Sequence, residues 1–304
     1  MSNLWISLST YGGVTTRTAL DVLWAAGTRQ VELAVPWLSR SEFGVKPTLD
    51  TTAVLQHYRQ RGMQYRAHHA IGWQEHRSVN LAQRFDAGYF ERLTDWLAVM
   101  QIEAYSVHAG RVLAQHDAIS DWERFLRHLQ QLQALCYEHV PVCQRHRSIR
   151  PGVETMYPDP SDSAGQYLLQ TAQEVEALLA VLPNVELVVD LAHLNLWHRE
   201  TLAEKLQVLN LAPNRVLEIH ISDNDGYQDN HTMVTPTTWW VPHIEQFPPH
   251  VPIVLESRMN GQTSEQIRQQ IQRIQTLVTP QFHSDESWRN RGRQVGEKAK
   301  QIAN

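Results

Sequence analysis

The sequence predicts a single (β/α)8 barrel, and three observations carry that prediction. Short β-rich runs alternate with longer amphipathic stretches about eight times, the pattern of βαβ units and a parallel sheet. The 304 residues suit one such barrel, typically about 250 residues with longer forms common. No Gly-rich phosphate turn follows the first strand. STYGGVTT has two adjacent glycines but not the G-x-G-x-x-G spacing, which argues against the competing doubly wound sheet.

In order, LWISLS (4–9) reads as the first strand, and TRTALDVLWAAGTR as a helix ending at Gly27. QVELAV (30–35) is the second strand; after a long loop, a helix runs through Leu55, Tyr58 and Met63. QYRAHHA (64–70) is the third strand, FERLTDWLAVMQ a helix, EAYSVHAG (103–110) the fourth strand, and 119–146 a long helix. IRPGVETM (149–156) is the fifth strand; its helix, QTAQEVEALLAVLP, is stopped by Pro183. VELVVDLAH (185–193), RVLEIHISD (215–223) and PIVLESR (252–258) are the sixth to eighth strands. ETLAEKLQVLN is the helix after the sixth, a loop and a short helix-like stretch follow the seventh, and SEQIRQQIQRIQTLV closes the barrel. The expected division is a barrel over 1–278 and a polar C-terminal extension over 279–304.

Composition narrows the function. With 42% hydrophobic and 19% charged residues, the chain reads as an ordinary globular protein. A net charge of −5 argues against nucleic acid as a partner held by its phosphates. The loop after the second strand, PWLSRSEFGVKP, offers only Arg40 and Lys46. MSNLWISLSTYGG lacks the basic start and apolar run of a signal peptide. No stretch approaches the roughly 20 apolar residues of a membrane span. Cys136 and Cys143 do not make a disulfide framework, so the expected compartment is the cytoplasm.

In a parallel barrel, functional groups collect where strands end at the C-terminal face. The third strand ends in His68-His69 and the fourth in His108. The fifth ends in Glu154, the sixth in Asp190 with His193 three residues on, the seventh in His220, and the eighth in Glu256. Six successive strands thus deliver a histidine or a carboxylate at one level. Clustered carboxylates repel unless a cation neutralises them. Two Glu, one Asp and one His form a mixed oxygen and nitrogen set that suits Mn²⁺, Mg²⁺, Co²⁺ or Zn²⁺. By alternation, Glu154 shares a face with the small Gly152, and His220 with Glu218 and Ser222. Glu218 then needs a partner inside the barrel, for which Arg150 is the candidate. Glu32 on the second strand poses the same question, and a structural ion pair is the plain answer for both.

These residues resemble the xylose isomerase-like barrel superfamily: sugar-phosphate isomerases and epimerases, inosose and 3-dehydroshikimate dehydratases, and endonuclease IV. The motifs are HAIGW…VNLA (69–82), VHAG (107–110), VET (153–155), VDLAH (189–193), IHISDNDGYQDNH (219–231) and LES (255–257). The resemblance runs from about residue 4 to 276. It implies one metal on Glu154, Asp190, His220 and Glu256, with Glu154 and Glu256 also serving as acid/base groups and His193 touching substrate. Endonuclease IV holds three zinc ions, and the resemblance supplies candidates for further metals in His69, His108, His193, Asp229 and His231. His69 is preferred to His68 as the inward residue because HAIGW…VNLA fits the family's third-strand pattern. HTMVTPTTWW departs from the Gly-rich sequel of the related isomerase-like proteins, and TMYPDP from the Gly-rich turn of the nuclease.

The expected function is a divalent-metal-dependent isomerase or epimerase of a sugar or related polyhydroxy carbonyl compound. The metal would acidify a C–H beside the carbonyl, and Glu154 or Glu256 would move the proton through an enediolate. His69 and His193 would hold substrate oxygens. Trp73, Trp197, Trp239 and Trp240 lie in loops after strands and would wall the pocket. The partner is a small-molecule substrate, with a homo-oligomer compatible and no membrane involved. Three alternatives stand beside this: a zinc-dependent AP endonuclease or phosphodiesterase, a metal-dependent dehydratase, and a non-catalytic ligand-binding barrel.

Overall fold

β-Branched and aliphatic residues dominate the short runs noted above, and eight of them pair into one sheet. The computed structural model describes residues 3–11, 15–35, 49–69, 80–113, 117–137, 139–140, 145–146, 149–158 and 165–278. The strands are β1 Leu4–Ser7, β2 Gln30–Ala34, β3 Gln64–His69, β4 Ala104–His108, β5 Arg150–Glu154, β6 Glu186–Asp190, β7 Val216–Ile221 and β8 Ile253–Leu255. Every neighbouring pair is parallel, in chain order, and β8 closes onto β1 with Leu4 opposite Ile253 and Ile6 opposite Leu255. The chain therefore forms the closed barrel its sequence predicts. The expected extension over 279–304 and Trp73 lie outside the described residues.

Around the barrel run α1 Thr16–Ala25, α2 Leu49–Gln60, α3 Ala87–Val99, α4 Ala118–Tyr137, α5 Ala172–Val181, the short α6 Leu191–Asn195, α7 Leu202–Leu211 and α8 Ser264–Val278. Side-chain caps fix several starts. Thr15, Asp86, Thr171 and Thr201 accept backbone N–H groups at the N-termini of α1, α3, α5 and α7. Thr201 and Glu204 form a reciprocal capping box, which satisfies two otherwise orphaned donors. Gly27 takes φ +93° just beyond α1, a conformation glycine adopts without the Cβ penalty. Leu20 and Leu23 on α1 are fully buried against the sheet, each contributing roughly 1.5–3 kcal/mol by burial.

One element differs from expectation. The helix read over 119–146 stops at Tyr137, and His139–Val140 and Arg145–His146 pair antiparallel instead. The sequence contains Pro141, which has no N–H to give a helix and disfavours helical backbone at the residue before it. Between β7 and β8 the short helix-like stretch is a 3₁₀ turn, Val241–Gln246, with a proline in its first turn. Among the described residues, no helix is long and apolar enough to cross a membrane.

The barrel interior is layered. A register shift in the pairing of β6 with β7 leaves Leu217 to pack with Ala104 and Val188 in a small cluster of its own. Gly152 makes that packing possible: a Cβ there would lie 2.6 Å from Leu217 Cδ2 and 3.1 Å from Val188 Cγ2. In the same lower region Arg66 Nε donates to Glu218 Oε2 at 2.5 Å and Arg66 Nη2 to the Leu217 carbonyl at 3.1 Å. Arg150, the partner expected for Glu218, instead makes two bonds to Glu186, at 2.8 and 2.5 Å. It sits at the first position of β5, near the open lower rim, whereas Glu218 lies deeper, two residues before His220.

Candidate metal centre at the C-terminal end of the barrel

The site rests on strand alternation. Arg66 must face the interior to reach Glu218, so His68, two residues on, faces it too. His68 Nδ1 lies 3.0 Å from Ser106 Oγ, and its Nε2 lies 3.3 Å from His108 Nε2 and 3.5 Å from Glu154 Oε2. His69 points the other way, between sheet and helices: its Nδ1 is 2.9 Å from the Tyr105 hydroxyl and its ring 5.8 Å from that of Tyr89 on α3. The inward residue is thus His68, a correction to the expected His69, which lies outside the cluster.

Glu154 ends β5, and Thr155 after it clamps the next strand. Its N–H donates to the Val188 carbonyl at 2.9 Å, and its Oγ1 accepts the Asp190 N–H at 3.0 Å. Asp190 ends β6 and caps α6, accepting the His193 N–H on Oδ1 at 2.9 Å. That cap folds His193 back over the site on a helix rather than extending the strand, as the run 185–193 had suggested. His193 Nδ1 lies 2.7 Å from the Thr155 carbonyl, and its Nε2 lies 3.3 Å from Asp229 Oδ2.

His220, near the end of β7, is fully buried. Its Nδ1 lies 3.4 Å from both Glu154 Oε1 and Glu256 Oε2. The other Glu256 oxygen accepts from Ser9 Oγ at 3.2 Å. After β7 the chain turns back through a bridge between Asp223 and Thr232. This turn brings His231 Nε2 to 3.0 Å from Asp229 Oδ2. His231 has φ +47°, an uncommon value for a residue with a Cβ.

Three ligand sets follow from this convergence. Ligand atoms of Glu154, Asp190, His220 and Glu256 all lie within 4.8 Å of one another, and so do those of His68, His108 and Glu154. So do those of Glu32, His68 and His220, while Asp229 Oδ2 faces both His193 and His231. The four-residue set fits a divalent cation. Both Glu154 oxygens, Asp190 Oδ2 and both His220 ring nitrogens are buried and make no hydrogen bond, which is costly unless something else occupies them. The 3.4 Å separations match the edge, about 3.4 Å, of a tetrahedron with bonds of roughly 2.1 Å.

The electrostatics agree. Burial pushes the Asp190 carboxyl up to about 6 and that of Glu32 up to about 7. Burial also opposes the charged forms of Glu154 and Glu256. His108 and His68 outweigh it at Glu154, and His220 at Glu256, holding both carboxyls well below the usual range. Burial pushes the His68 imidazole down to about 4. At His193, Asp190 and Asp229 overcome burial and raise the imidazole well above its ordinary value; Glu256 and Glu32 do the same at His220. Against burial, Asp229 draws His231 up to about 9. Without a cation, the cluster takes its positive charge from its own histidines; a bound cation supplies that charge in their place.

Of the tryptophans expected to wall the pocket, the three among the described residues clamp backbone. Trp197 Nε1 donates to the Met156 carbonyl at 2.6 Å, Trp239 Nε1 to Leu191 at 3.1 Å and Trp240 Nε1 to Ser222 at 3.2 Å. Each tethers backbone just past β5, β6 or β7. Trp197 and Trp240 are buried, because an indole packs its ring into the core once its single N–H finds a carbonyl. Two further residues at the site, Tyr157, whose ring centroid lies 4.7 Å from that of His193, and Ser9, carry no local mark in the sequence; Thr155 is marked only as the last residue of VET.

Comparison with known proteins places this geometry. No curated protein matches the chain in sequence. Solved structures do match in shape. A xylose isomerase domain protein from Alicyclobacillus acidocaldarius has a TM-score of 0.66 at 16% identity, over 90% of this chain and 97% of its own. An IOLI protein with a bound zinc atom has a TM-score of 0.65 at 14% identity, over 92% and 99%. D-allulose 3-epimerase from Methylomonas sp., in complex with D-allulose, has a TM-score of 0.62 at 15% identity, over 88% of each chain. At these identities the likeness is one of fold. The family model for the xylose isomerase-like TIM barrel matches residues 20–277, and the chain belongs to that family.

Proposed function

We propose that this chain is a divalent-metal-dependent isomerase or epimerase of a small polyhydroxylated carbonyl compound. The observation that carries the reading is the placement of Glu154 and Glu256. Each directs one carboxylate oxygen to 3.4 Å from His220 Nδ1 and keeps its second oxygen apart. Two carboxylates flanking one ligand position suit proton removal and return at a single carbon. The solved epimerase with D-allulose and the IOLI protein with zinc support this choice within the family.

Glu154, Asp190, His220 and Glu256 would hold the cation, which supplies Lewis-acid polarisation of a substrate carbonyl and so acidifies the adjacent C–H. For an epimerase, one of Glu154 and Glu256 would take that proton and the other would return one to the opposite face of the same carbon; for an isomerase, the proton would be returned to the neighbouring carbon. His193, its Nδ1 held by the Thr155 carbonyl, turns Nε2 toward Asp229, where a substrate oxygen would compete for it. The Tyr157 ring lies against that of His193, tilted by 43°.

One observation favours a second reading. Glu154 belongs to two ligand sets at once, and a carboxylate shared between cations is a feature of multinuclear phosphodiester hydrolysis. One experiment separates the two: metal analysis of the purified protein, with a ketose panel in deuterated water and an abasic-site oligonucleotide. One exchangeable metal with solvent deuterium entering the ketose is the expected result. Three zinc ions per chain with strand cleavage overturns the isomerase reading.

A further inference from the structure

We propose that Glu32 and Glu218 are positioning residues that, once a cation occupies the site, accept the Nε2–H of His220 and thereby fix the tautomer whose Nδ1 faces that cation. The inference rests on the reading of His220 as a cation ligand. It concerns the two interior glutamates that reading leaves without a role.

The geometry divides His220 into two faces. Nδ1 looks toward Glu154 and Glu256. Nε2 looks down the barrel, 3.3 Å from Glu32 Oε2 and 3.5 Å from Glu218 Oε1. A neutral imidazole carries one N–H, and the acceptor on one nitrogen decides which nitrogen keeps its lone pair. With carboxylates below, the proton belongs on Nε2 and the lone pair on Nδ1. The His68 ring stands edge-on at 5.1 Å between centroids and limits rotation of His220 out of this arrangement.

The two glutamates act differently. Glu218 is locked: Arg66 binds its other oxygen, and the Leu217 carbonyl holds Arg66. Glu32 has no such anchor. It is fully buried on β2, and neither of its carboxylate oxygens makes a hydrogen bond. A buried carboxylate without a cationic partner is costly, and its nearest charge partner is the Nε2 of His220. An acceptor at this position orients the imidazole and raises its strength as a ligand, as hydrogen-bond acceptors behind metal-bound histidines do.

The test titrates Co²⁺ into the full-length protein, reading cobalt absorption, for wild type, Glu32→Leu and Glu32→Gln. Glu32→Leu should weaken Co²⁺ binding by about 10–100-fold without lowering the thermal midpoint. Glu32→Gln, whose amide oxygen still accepts, should recover most of the loss. Nitrogen-15 spectra of the zinc-loaded wild type should show the His220 proton on Nε2, a readout that needs no variant to fold. Equal Co²⁺ affinity in wild type and Glu32→Leu, or the proton on Nδ1, overturns the inference while leaving the metal site standing. Failure of the wild type to bind Co²⁺ overturns both the inference and the functional reading beneath it.

Discussion

The lower and upper layers of the barrel interior are both buried and both charged, yet they solve the problem of charge differently. In the lower layer the cations are guanidinium groups. Arg66 serves Glu218 in the interior, and Arg150 serves Glu186 at the exposed lower rim. In the upper layer Glu154, Asp190 and Glu256 face the imidazoles of His68, His108, His193 and His220. A guanidinium keeps its proton at any physiological pH, whereas an imidazole can surrender it. The lower layer is therefore a fixed structure, and the upper layer can exchange its own positive charge for that of a bound cation.

The largest effect expected from this contrast is on turnover. Glu154→Gln should lower kcat by roughly 10²–10⁴-fold, the range of a lost acid/base group, and should reduce bound metal. Glu256→Gln should fall in the same direction. If both variants keep wild-type metal content and rate, the upper layer is not the site. Next in size is a pH effect on the protein freed of metal by a chelator. His231 is drawn up to about 9 from an ordinary 6.5. Its folded value exceeds its unfolded value, so its stabilising contribution is whole below about 6.5 and is lost as pH rises through about 9. His193 is shifted the same way. The difference in urea unfolding free energy between wild type and Asp229→Asn should shrink from about pH 6 to about pH 10, by at most ~1.4 kcal/mol per pH unit for each proton. A constant difference across that range breaks the assignment. In the lower layer, Gly152→Val should cost about 1–3 kcal/mol of stability by overpacking against Leu217 and Val188, with metal stoichiometry unchanged.

The same contrast explains what the sequence made legible. The strands and their order could be read because apolar runs and period-two alternation are local. Glu154, Asp190, His220 and Glu256 could be placed together because each closes or follows such a run. The choice between His68 and His69 could not be read locally. It is settled by Arg66, whose partner Glu218 lies 152 positions away in sequence; that contact fixes which face of β3 is inward, and a one-residue slip inverts every side chain. Glu218 was paired with Arg150 for the same reason: the depth of a residue inside a barrel depends on the stagger between strands, which no single strand encodes. The clamping by three tryptophans was not legible because each one's role depends on a carbonyl supplied by a different strand end. Residues Thr155 and Ser9 act through such cross-strand contacts as well.

The smallest effect tests where the boundary between the two kinds of region falls along the outside of the barrel. Asn80, in the VNLA motif, accepts the Arg111 N–H on Oδ1 and donates from Nδ2 to the Arg111 carbonyl, both at 2.8 Å. Its Oδ1 also accepts the Ala82 N–H at 3.1 Å. The side chain thus behaves as a strand partner and docks the 80–84 turn against the chain leaving β4, three residues past His108. Gly110 permits the approach: it has φ +96°, and a Cβ there would lie 2.7 Å from the Ala82 nitrogen. Asn80→Ala removes all three bonds at a half-buried position where water replaces part of them, so about 1–2 kcal/mol should be lost in urea unfolding. Asn80→Asp keeps both acceptor bonds but sets a carboxylate oxygen against the Arg111 carbonyl, so it should destabilise as well. Both should retain metal, since Asn80 anchors the wall and not the ligands. If Asn80→Ala strips the metal without moving stability, the turn belongs to the upper layer, and the division between a fixed scaffold and an exchangeable site fails at this point.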